Sequence, residues 1–314
     1  MNSLNCRVCF FCISIFLIFA GLAPLPADAK LNVVASIPDL ADIAAQVGGN
    51  RVTVASIAKG YQDPHFVEPK PSFMLLLRKA DLYLVSGMSL EEGWSPPLEQ
   101  GSRNSAIVRG GAGYVDCSEG IQPLEIPAGG ADRSMGDVHP EGNPHYLLDP
   151  QNGIIVAKTI AAALSRKDPA NRAEYRQNCE SFIQKVRRRE ARWLQKMKPL
   201  KGLKVITDHR MWSYFARRFG LDVVSCVEPK PGISPSPAHV AALIKLMKQE
   251  KIMLILRTPY FDEKIPNLIA RNTGAKSIVL PNSVGAVDGA GGYLELFDCI
   301  TDRLAAAAGK EKGE

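Results

Sequence analysis

Residues 31–57 read LNVVASIPDLADIAAQVGGNRVTVASI. Leu31 to Ser36 is a short β-branched run, Asp39 to Val47 places apolar residues at helical intervals, and Val52 to Ile57 returns to a strand pattern. The order is strand, helix, strand. A helical pattern from Pro71 to Lys79 and a third strand from Asp81 to Ser86 extend it into the alternation that builds a parallel sheet covered by helices.

The same order returns in the second half. Leu203 to Thr207, Val223 to Val227 and Ile252 to Leu256 read as strands, with helices from Met211 to Phe219 and from Pro237 to Gln249 between them. Asn32 to Asp81 and Leu203 to Ile252 span the same number of residues, and Glu68-Pro69-Lys70-Pro71 is echoed by Glu228-Pro229-Lys230-Pro231. The expected fold class is therefore α/β, as two similar lobes with parallel sheets. Between them, Asp168 to Lys198 is nearly free of Gly and Pro and carries Tyr175, Phe182, Val186, Trp193 and Met197 at helical spacing. One helix of about 45 Å results, a rigid backbone spanning both lobes rather than a flexible linker, so lobe motion should be small. The expected division is 1–29 as a signal peptide, 30–167 as the N-terminal lobe, 168–199 as the linking helix and 200–314 as the C-terminal lobe.

Composition narrows the function. With 46% hydrophobic and 22% charged residues the chain is neither disordered nor collagen-like. Its 38 Lys and Arg against 32 Asp and Glu leave a formal charge of +6, too diffuse to make a nucleic-acid groove. Arg187-Arg188-Arg189 reads as a solvated helix face, because Glu180 and Glu190 interrupt the charge and no aromatics interleave it. Arg7 precedes an apolar run from Val8 to Leu22, which is shorter than the ~20 residues that cross a bilayer and is followed by Pro24, Pro26 and Ala27-Asp28-Ala29. That is a cleavable signal peptide; the alternative is an uncleaved anchor. The first cysteine after Ala29 is Cys117, so the expected product is a soluble periplasmic protein without a lipid anchor. Cys117, Cys179, Cys226 and Cys299 form no C-x-x-C pair, which argues against a thiolate cluster; if a disulfide forms, Cys226 with Cys299 is the expected pair.

The chemistry lies in the histidines. Of five in the chain, three are placed by the pattern in loops beyond strands: His65 in Asp63-Pro64-His65, His145 in Asn143-Pro144-His145 and His209 in Thr207-Asp208-His209. Ligands of open α/β sheets bind at the carboxyl ends of the strands. Proline before the imidazole fixes the local backbone. Neutral imidazole nitrogens suit Zn(II), and Asp63 and Asp208 are the expected carboxylates to orient the rings. His239, in Pro237-Ala238-His239, opens a helix and reads as structural.

These residues resemble the zinc and manganese substrate-binding proteins of bacterial ABC transporters, the TroA-like superfamily. The resemblance spans the chain after residue 29 and rests on Val34-Ala35-Ser36, Asp63-Pro64-His65 with Glu68-Pro69, Ala80-Asp81-Leu82, and Gly142-Asn143-Pro144-His145-Tyr146 with Leu148-Asp149-Pro150. Asp208-His209 before Tyr214-Phe215, and Glu228-Pro229-Lys230-Pro231-Gly232, complete it. It implies a periplasmic receptor holding one metal ion in the cleft between two lobes, with His65 and His145 from the first lobe and His209 from the second. Members with histidine at the third position are usually zinc receptors, and those with glutamate there usually take manganese. Zn(II) is thus the expected cargo, with Mn(II) or Fe(II) less favoured by a three-nitrogen site. The expected partner is an inner-membrane permease with its ATPase, served by a monomer; no nucleic acid is involved.

The family commonly supplies a fourth ligand, an aspartate, before the last helix. Here Gly289-Ala290-Gly291-Gly292 precedes Tyr293, so Asp288 is the expected fourth ligand, with Asp262 or water as alternatives. His139, in Gly136-Asp137-Val138-His139-Pro140 on a Gly-rich loop, is a candidate for auxiliary capture of the ion. The rival reading is a secreted zinc hydrolase with water on a three-histidine metal. No H-E-x-x-H, nucleophile elbow or P-loop supports an enzyme, and Gly110-Gly111-Ala112-Gly113 reads as a turn. A receptor for chelated iron or a corrin shares the architecture but needs no converging histidines.

Overall fold

Four parallel strands make each half of the molecule. The computed structural model describes residues 30–128, 139–230 and 232–309. Leu31–Ala35 (β1), Pro38–Gly48 (α1), Val52–Ser56 (β2), Pro71–Arg78 (α2), Leu82–Val85 (β3), Ser95–Ser102 (α3) and Tyr114–Asp116 (β4) build the first half, with strand order β2-β1-β3-β4. After Pro150–Lys167 (α4) and Arg172–Met197 (α5) come Lys204–Thr207 (β5), Ser213–Phe219 (α6), Asp222–Cys226 (β6), Pro237–Glu250 (α7), Leu254–Arg257 (β7), Lys264–Thr273 (α8), Lys276–Val279 (β8) and Tyr293–Gly309 (α9). The second sheet has the order β6-β5-β7-β8, the first one repeated. All strand pairs are parallel, in register β1 with β2 from Leu31↔Val52 to Ala35↔Ser56. Val33, Val34 and Ala35 are buried in succession because helices cover both faces, which is why β1 reads as a continuous apolar run.

Helix boundaries follow local chemistry. Pro38, Pro71, Pro150 and Pro237 all stand in first turns, where the missing N–H costs nothing. Asp149 caps α4 by accepting from Gln151 N, and Ser236 caps α7 by accepting from His239 N. The long helix departs from the expected span: α5 begins at Arg172, not Asp168. Pro169 opens a separate 3-10 turn, Pro169–Asn171, and the Asp168 carboxylate accepts from Asn171 Nδ2 and Tyr175 Oη at 2.7 Å each, closing the α4–α5 corner. With 26 residues, α5 is about 39 Å long.

Its buried stripe includes Tyr175, Phe182, Val186, Trp193 and Met197, and it packs on α4, α1 and α9. The C-terminal helix α9 returns to the first half. Trp193 packs on Phe297 with centroids 5.0 Å apart and donates to Asp298 Oδ1 at 2.6 Å, and Asp42 of α1 accepts from Tyr293 N at 2.9 Å. One apolar core runs from β1 and α1 through α5 to Phe215, Leu254 and Phe297, while a smaller cluster around Ile255, Leu243 and Met247 fills the outer face of the second sheet. A shared core of this kind joins the lobes as a packed interior, not as a loose interface.

The expected Cys226–Cys299 bridge is absent, and Cys117, Cys179, Cys226 and Cys299 are all free. Cys226 ends the edge strand β6 with its Sγ 3.2 Å from Thr207 Oγ1, whereas Cys299 lies on α9 against the core shared with α5. The expected signal peptide, 1–29, lies outside the described residues, and no helix among them is long and apolar enough to cross a membrane.

Candidate metal centre

Each of the three expected histidines is set by the same small device. Asp63 Oδ1 accepts from His65 N at 3.0 Å, Asn143 Oδ1 from His145 N at 2.9 Å, and Asp208 Oδ1 from His209 N at 2.8 Å. A short side-chain oxygen thus closes each turn and fixes where the imidazole leaves the backbone. Trp94 Nε1 further pins the first loop by donating to Pro64 O at 2.8 Å. His209 follows β5 directly, at a strand's carboxyl end as expected. His145 does not lie beyond a strand; it precedes a 3-10 turn, Tyr146–Leu148, that leads into α4.

One ring nitrogen from each of His65, His145 and His209 falls within 4.8 Å of the others, the only such group among the described residues. The ring centroids stand 5.1 Å (His65–His145), 5.4 Å (His65–His209) and 5.4 Å (His145–His209) apart. Their outer faces are held by carboxylates. His65 Nδ1 lies 2.7 Å from Asp63 Oδ1, and His209 Nδ1 lies 2.7 Å from Glu228 Oε2. A carboxylate accepts only, so both Nδ1 atoms carry the proton and both Nε2 atoms present lone pairs. The buried Nε2 of His145 has no hydrogen-bond partner among the described residues. An orphaned imidazole nitrogen beside two carboxylate-oriented imidazoles is a donor set for a divalent cation, with Asp63 and Glu228 supplying two balancing negative charges.

Electrostatics divide the rings. Burial, then the proximity of His65, His209 and His139, holds His145 well below the ordinary histidine value, so it stays neutral. Burial pushes His209 down as well, but the hydrogen bond and charge of Glu228, with Asp208 and Asp63, lift it above that value. Asp63 is buried, which raises it, yet the bond and charge of His65 leave it below the usual carboxylate range.

Asp208 does not orient a ring as expected. Its Oδ2 accepts from Thr258 N and Thr258 Oγ1, both at 2.6 Å, which ties the ends of β5 and β7 together. Glu228 does the orienting, a role its place in Glu228-Pro229-Lys230-Pro231 signalled only as a repeat. The repeat partner Glu68 is exposed and pairs loosely with Lys70 at 3.6 Å.

The expected fourth ligands lie elsewhere. Asp288 is exposed, and Asp262, also exposed, accepts from Lys264 N at the start of α8. Neither joins the histidine group. His139 does approach it, with Nε2 3.2 Å from His65 Nε2; residues 129–138 of its loop lie outside the described part. His239 is apart, its Nε2 3.1 Å from the Cys226 carbonyl.

Residues 33–307 match the model of a family described as the zinc-uptake complex component A, periplasmic (ZnuA). ScbA of Streptococcus cristatus, named a metal ABC transporter substrate-binding lipoprotein, is 26% identical over 280 residues, covering 85% of this chain and 87% of that protein. PsaA of Streptococcus pneumoniae, named a manganese ABC transporter substrate-binding lipoprotein, is 26% identical over 255 residues, covering 81% and 80%. Among solved structures, a crystal structure of ZnuA superposes with a TM-score of 0.74 at 27% identity, covering 88% of this chain and 99% of that one. A manganese-bound periplasmic metal binding protein from candidatus Liberibacter asiaticus shares the fold, with a TM-score of 0.73 at 23% identity over 88% of this chain and 99% of that one.

These relatives overturn the expectation of a secreted protein without a lipid anchor, since the streptococcal proteins are lipoproteins. That expectation rests on a cut after Ala29, which leaves Cys117 as the first available cysteine; Cys6, Cys9 and Cys12 stand before that point.

Proposed function

This chain belongs to the zinc-uptake complex component A (ZnuA) family, and on that premise we propose that it captures Zn(II) at His65, His145 and His209. It is a metal ABC transporter substrate-binding protein, not an enzyme, and such a receptor delivers its ion to a permease with its ATPase. The observation that carries the choice of zinc is the donor set: three imidazoles within 4.8 Å and no carboxylate among them. Mn(II) stands low in the affinity series for nitrogen sites and prefers oxygen, whereas Zn(II) takes imidazole at ~2.0–2.1 Å. Asp63 and Glu228 act from behind the rings, where they raise imidazole basicity and balance the ion's charge.

The lobes we assign to residues 30–167 and 200–314, joined through 168–199, each contribute to this cleft. Capture involves no bond making beyond coordination, and the shared core limits opening to the loops that carry the histidines.

Manganese is the second reading, because PsaA of Streptococcus pneumoniae is named a manganese receptor. Titration of metal-free protein with each ion against a calibrated chelator separates the two. The zinc reading expects one Zn(II) per chain, held at least about 100-fold more tightly than Mn(II). Equal or tighter Mn(II) binding would overturn it.

A further inference from the structure

We propose that a cavity sharing Glu228 with the metal centre, but none of its histidines, binds a small zwitterion of the α-amino-acid class, and that filling it weakens metal binding. The coupling rests on the receptor reading above; the pocket does not. The cavity measures about 310 Å³, at the lower end of the range for small-molecule sites. Val223 to Cys226 at the end of the edge strand β6 form one wall, and Arg210, Trp212 and Ser213, from the connection between β5 and α6, form another. Glu125, Glu228 and His239 complete it.

The walls offer a partner for each charge of such a ligand. Glu228 spends Oε2 on His209 Nδ1 at 2.7 Å and on Gly232 N at 3.2 Å, while its Oε1 has no hydrogen-bond partner among the described residues. Glu125 is already engaged, Oε1 by Ser213 Oγ and Oε2 by Asn143 Nδ2, both at 2.8 Å. The ammonium therefore belongs on Glu228. Arg210 is exposed, and its guanidinium makes no hydrogen bond or ion pair among the described residues, although Asn143 fixes its backbone carbonyl. A planar guanidinium takes a carboxylate through two parallel hydrogen bonds. His239 adds an acceptor: its Nε2 faces the Cys226 carbonyl at 3.1 Å and so carries the proton, which leaves a lone pair on Nδ1. A plain carboxylate would leave Glu228 Oε1 unanswered, and a plain amine would leave Arg210 so. Trp212, Val223 and Pro229 give the apolar surface for a short side chain.

Glu228 connects the two sites. Through Oε2 it orients His209 and balances the charge of the ion. An ammonium on Oε1 neutralises the same carboxylate and sets a second positive charge near the metal. A filled pocket thus lowers zinc affinity, and by linkage bound zinc lowers affinity for the zwitterion by the same factor.

Calorimetric titration of the metal-free protein with glycine, L-serine, L-leucine and L-glutamate tests the pocket, with acetate and methylammonium as half-ligands. At least one amino acid should bind once per chain with Kd of about 1 mM or tighter. Each half-ligand should bind at least about 10-fold more weakly, and Arg210→Gln should weaken the amino acid by a similar factor. No amino-acid binding, or acetate binding as tightly, would overturn the zwitterion site and leave the three-histidine receptor standing. If Arg210→Gln does not fold, the half-ligand comparison in the wild type decides. The coupling is read by repeating the titration on zinc-loaded protein with free zinc held by a chelator buffer, so that complexation of zinc by the amino acid does not enter. Affinity for the amino acid should fall about 5- to 10-fold. Equal affinities in the two forms would overturn the coupling. Failure of the chain to bind zinc would overturn the receptor reading, and the metal-free titration would still decide the pocket.

Discussion

The side-chain amide of Asn143 donates to the carbonyl oxygen of Arg210 at 2.6 Å, which fastens the loop of His145 to the loop of His209. The same side chain accepts from His145 N through Oδ1 and shares its Nδ2 with Glu125 Oε2 at 2.8 Å. Glu125 in turn accepts from Ser213 Oγ at 2.8 Å, so one buried amide holds both walls of the cleft. Asn143→Ala removes its side chain's bonds to Arg210 O, His145 N and Glu125 at once. Zinc affinity should fall by about 10- to 100-fold, the usual loss when the support behind a ligand is removed. Competition with a chelator measures it, and an unchanged dissociation constant would show that the two loops hold their places independently.

Protons compete with the metal for the imidazoles. His145 is neutral across the physiological range, so it does not set the pH dependence. His209 does, because Glu228 overcomes burial and raises it above the ordinary value. A raised base keeps its proton to higher pH; zinc affinity should therefore begin to fall above ~6.5 as the medium is acidified, not below it. Glu228→Gln removes the charge behind Nδ1. Its affinity at pH 8 should drop by about 10-fold or more, while the pH at which affinity halves should move downward. Chelator competition from pH 5 to 8 gives both numbers. An unmoved midpoint would mean that His209 is not the titrating group.

How much of this was legible in the sequence depended on distance along the chain. β1 and β5 were readable because strands buried on both faces are continuous apolar runs, and the repeat doubled the signal. His65 and His145 are legible from the x-Pro-His tripeptides that carry them and His209 from its place just after β5, whereas the Asp or Asn oxygen that bonds each histidine's N–H is visible only in the structure. Glu228 was not, since it reaches His209 across 19 residues through the parallel pairing of β5 with β6, a contact that requires the register. Asp208 was misassigned for the opposite reason: adjacency to His209 suggested a ring contact, but Thr258 at the end of β7 claims its carboxylate. His139 meets His65 across 74 residues, and nothing local announces that encounter. The start of α5 was missed because Asp168 and Pro169 form a corner that a count of helix-compatible residues passes over.

Asp39 on α1 is buried against the second lobe, where it accepts from Ser283 Oγ and from Val284 N at 3.3 Å. Burial raises its carboxyl to about 6 from 3.8, opposed by those two hydrogen bonds and reinforced by Asp42. A carboxyl raised in the folded state binds its proton more tightly folded than unfolded. Its contribution is full below the unfolded value and is lost as the pH climbs through about 6. The loss is on the order of 2–3 kcal/mol across that window. In Asp39→Asn this loss disappears, so denaturant unfolding at pH 4 and pH 7 should differ less for the variant than for the wild type by a comparable amount. Equal differences in the two proteins would show that Asp39 is ionised without cost in the fold.

Gly153 on α4 lies in a close contact with α9. A Cβ there would lie 2.4 Å from Tyr293 Cε1 and 2.6 Å from Tyr293 Oη. Tyr293 is fully buried and cannot swing away, since its hydroxyl donates to Leu147 O at 2.8 Å and its ring packs edge-on against Phe297. Gly153→Ala therefore overpacks the seam between α4 and α9, and about 1–3 kcal/mol of stability should be lost even though alanine favours the helix. Tyr293→Phe in the same background should recover some of this, because it removes the Oη that the new methyl group meets. Thermal unfolding of the single and double variants gives the coupling between the two sites. Additive effects would show that the seam relaxes around the methyl group and that α9 is held by Trp193 and Asp42 rather than by this contact.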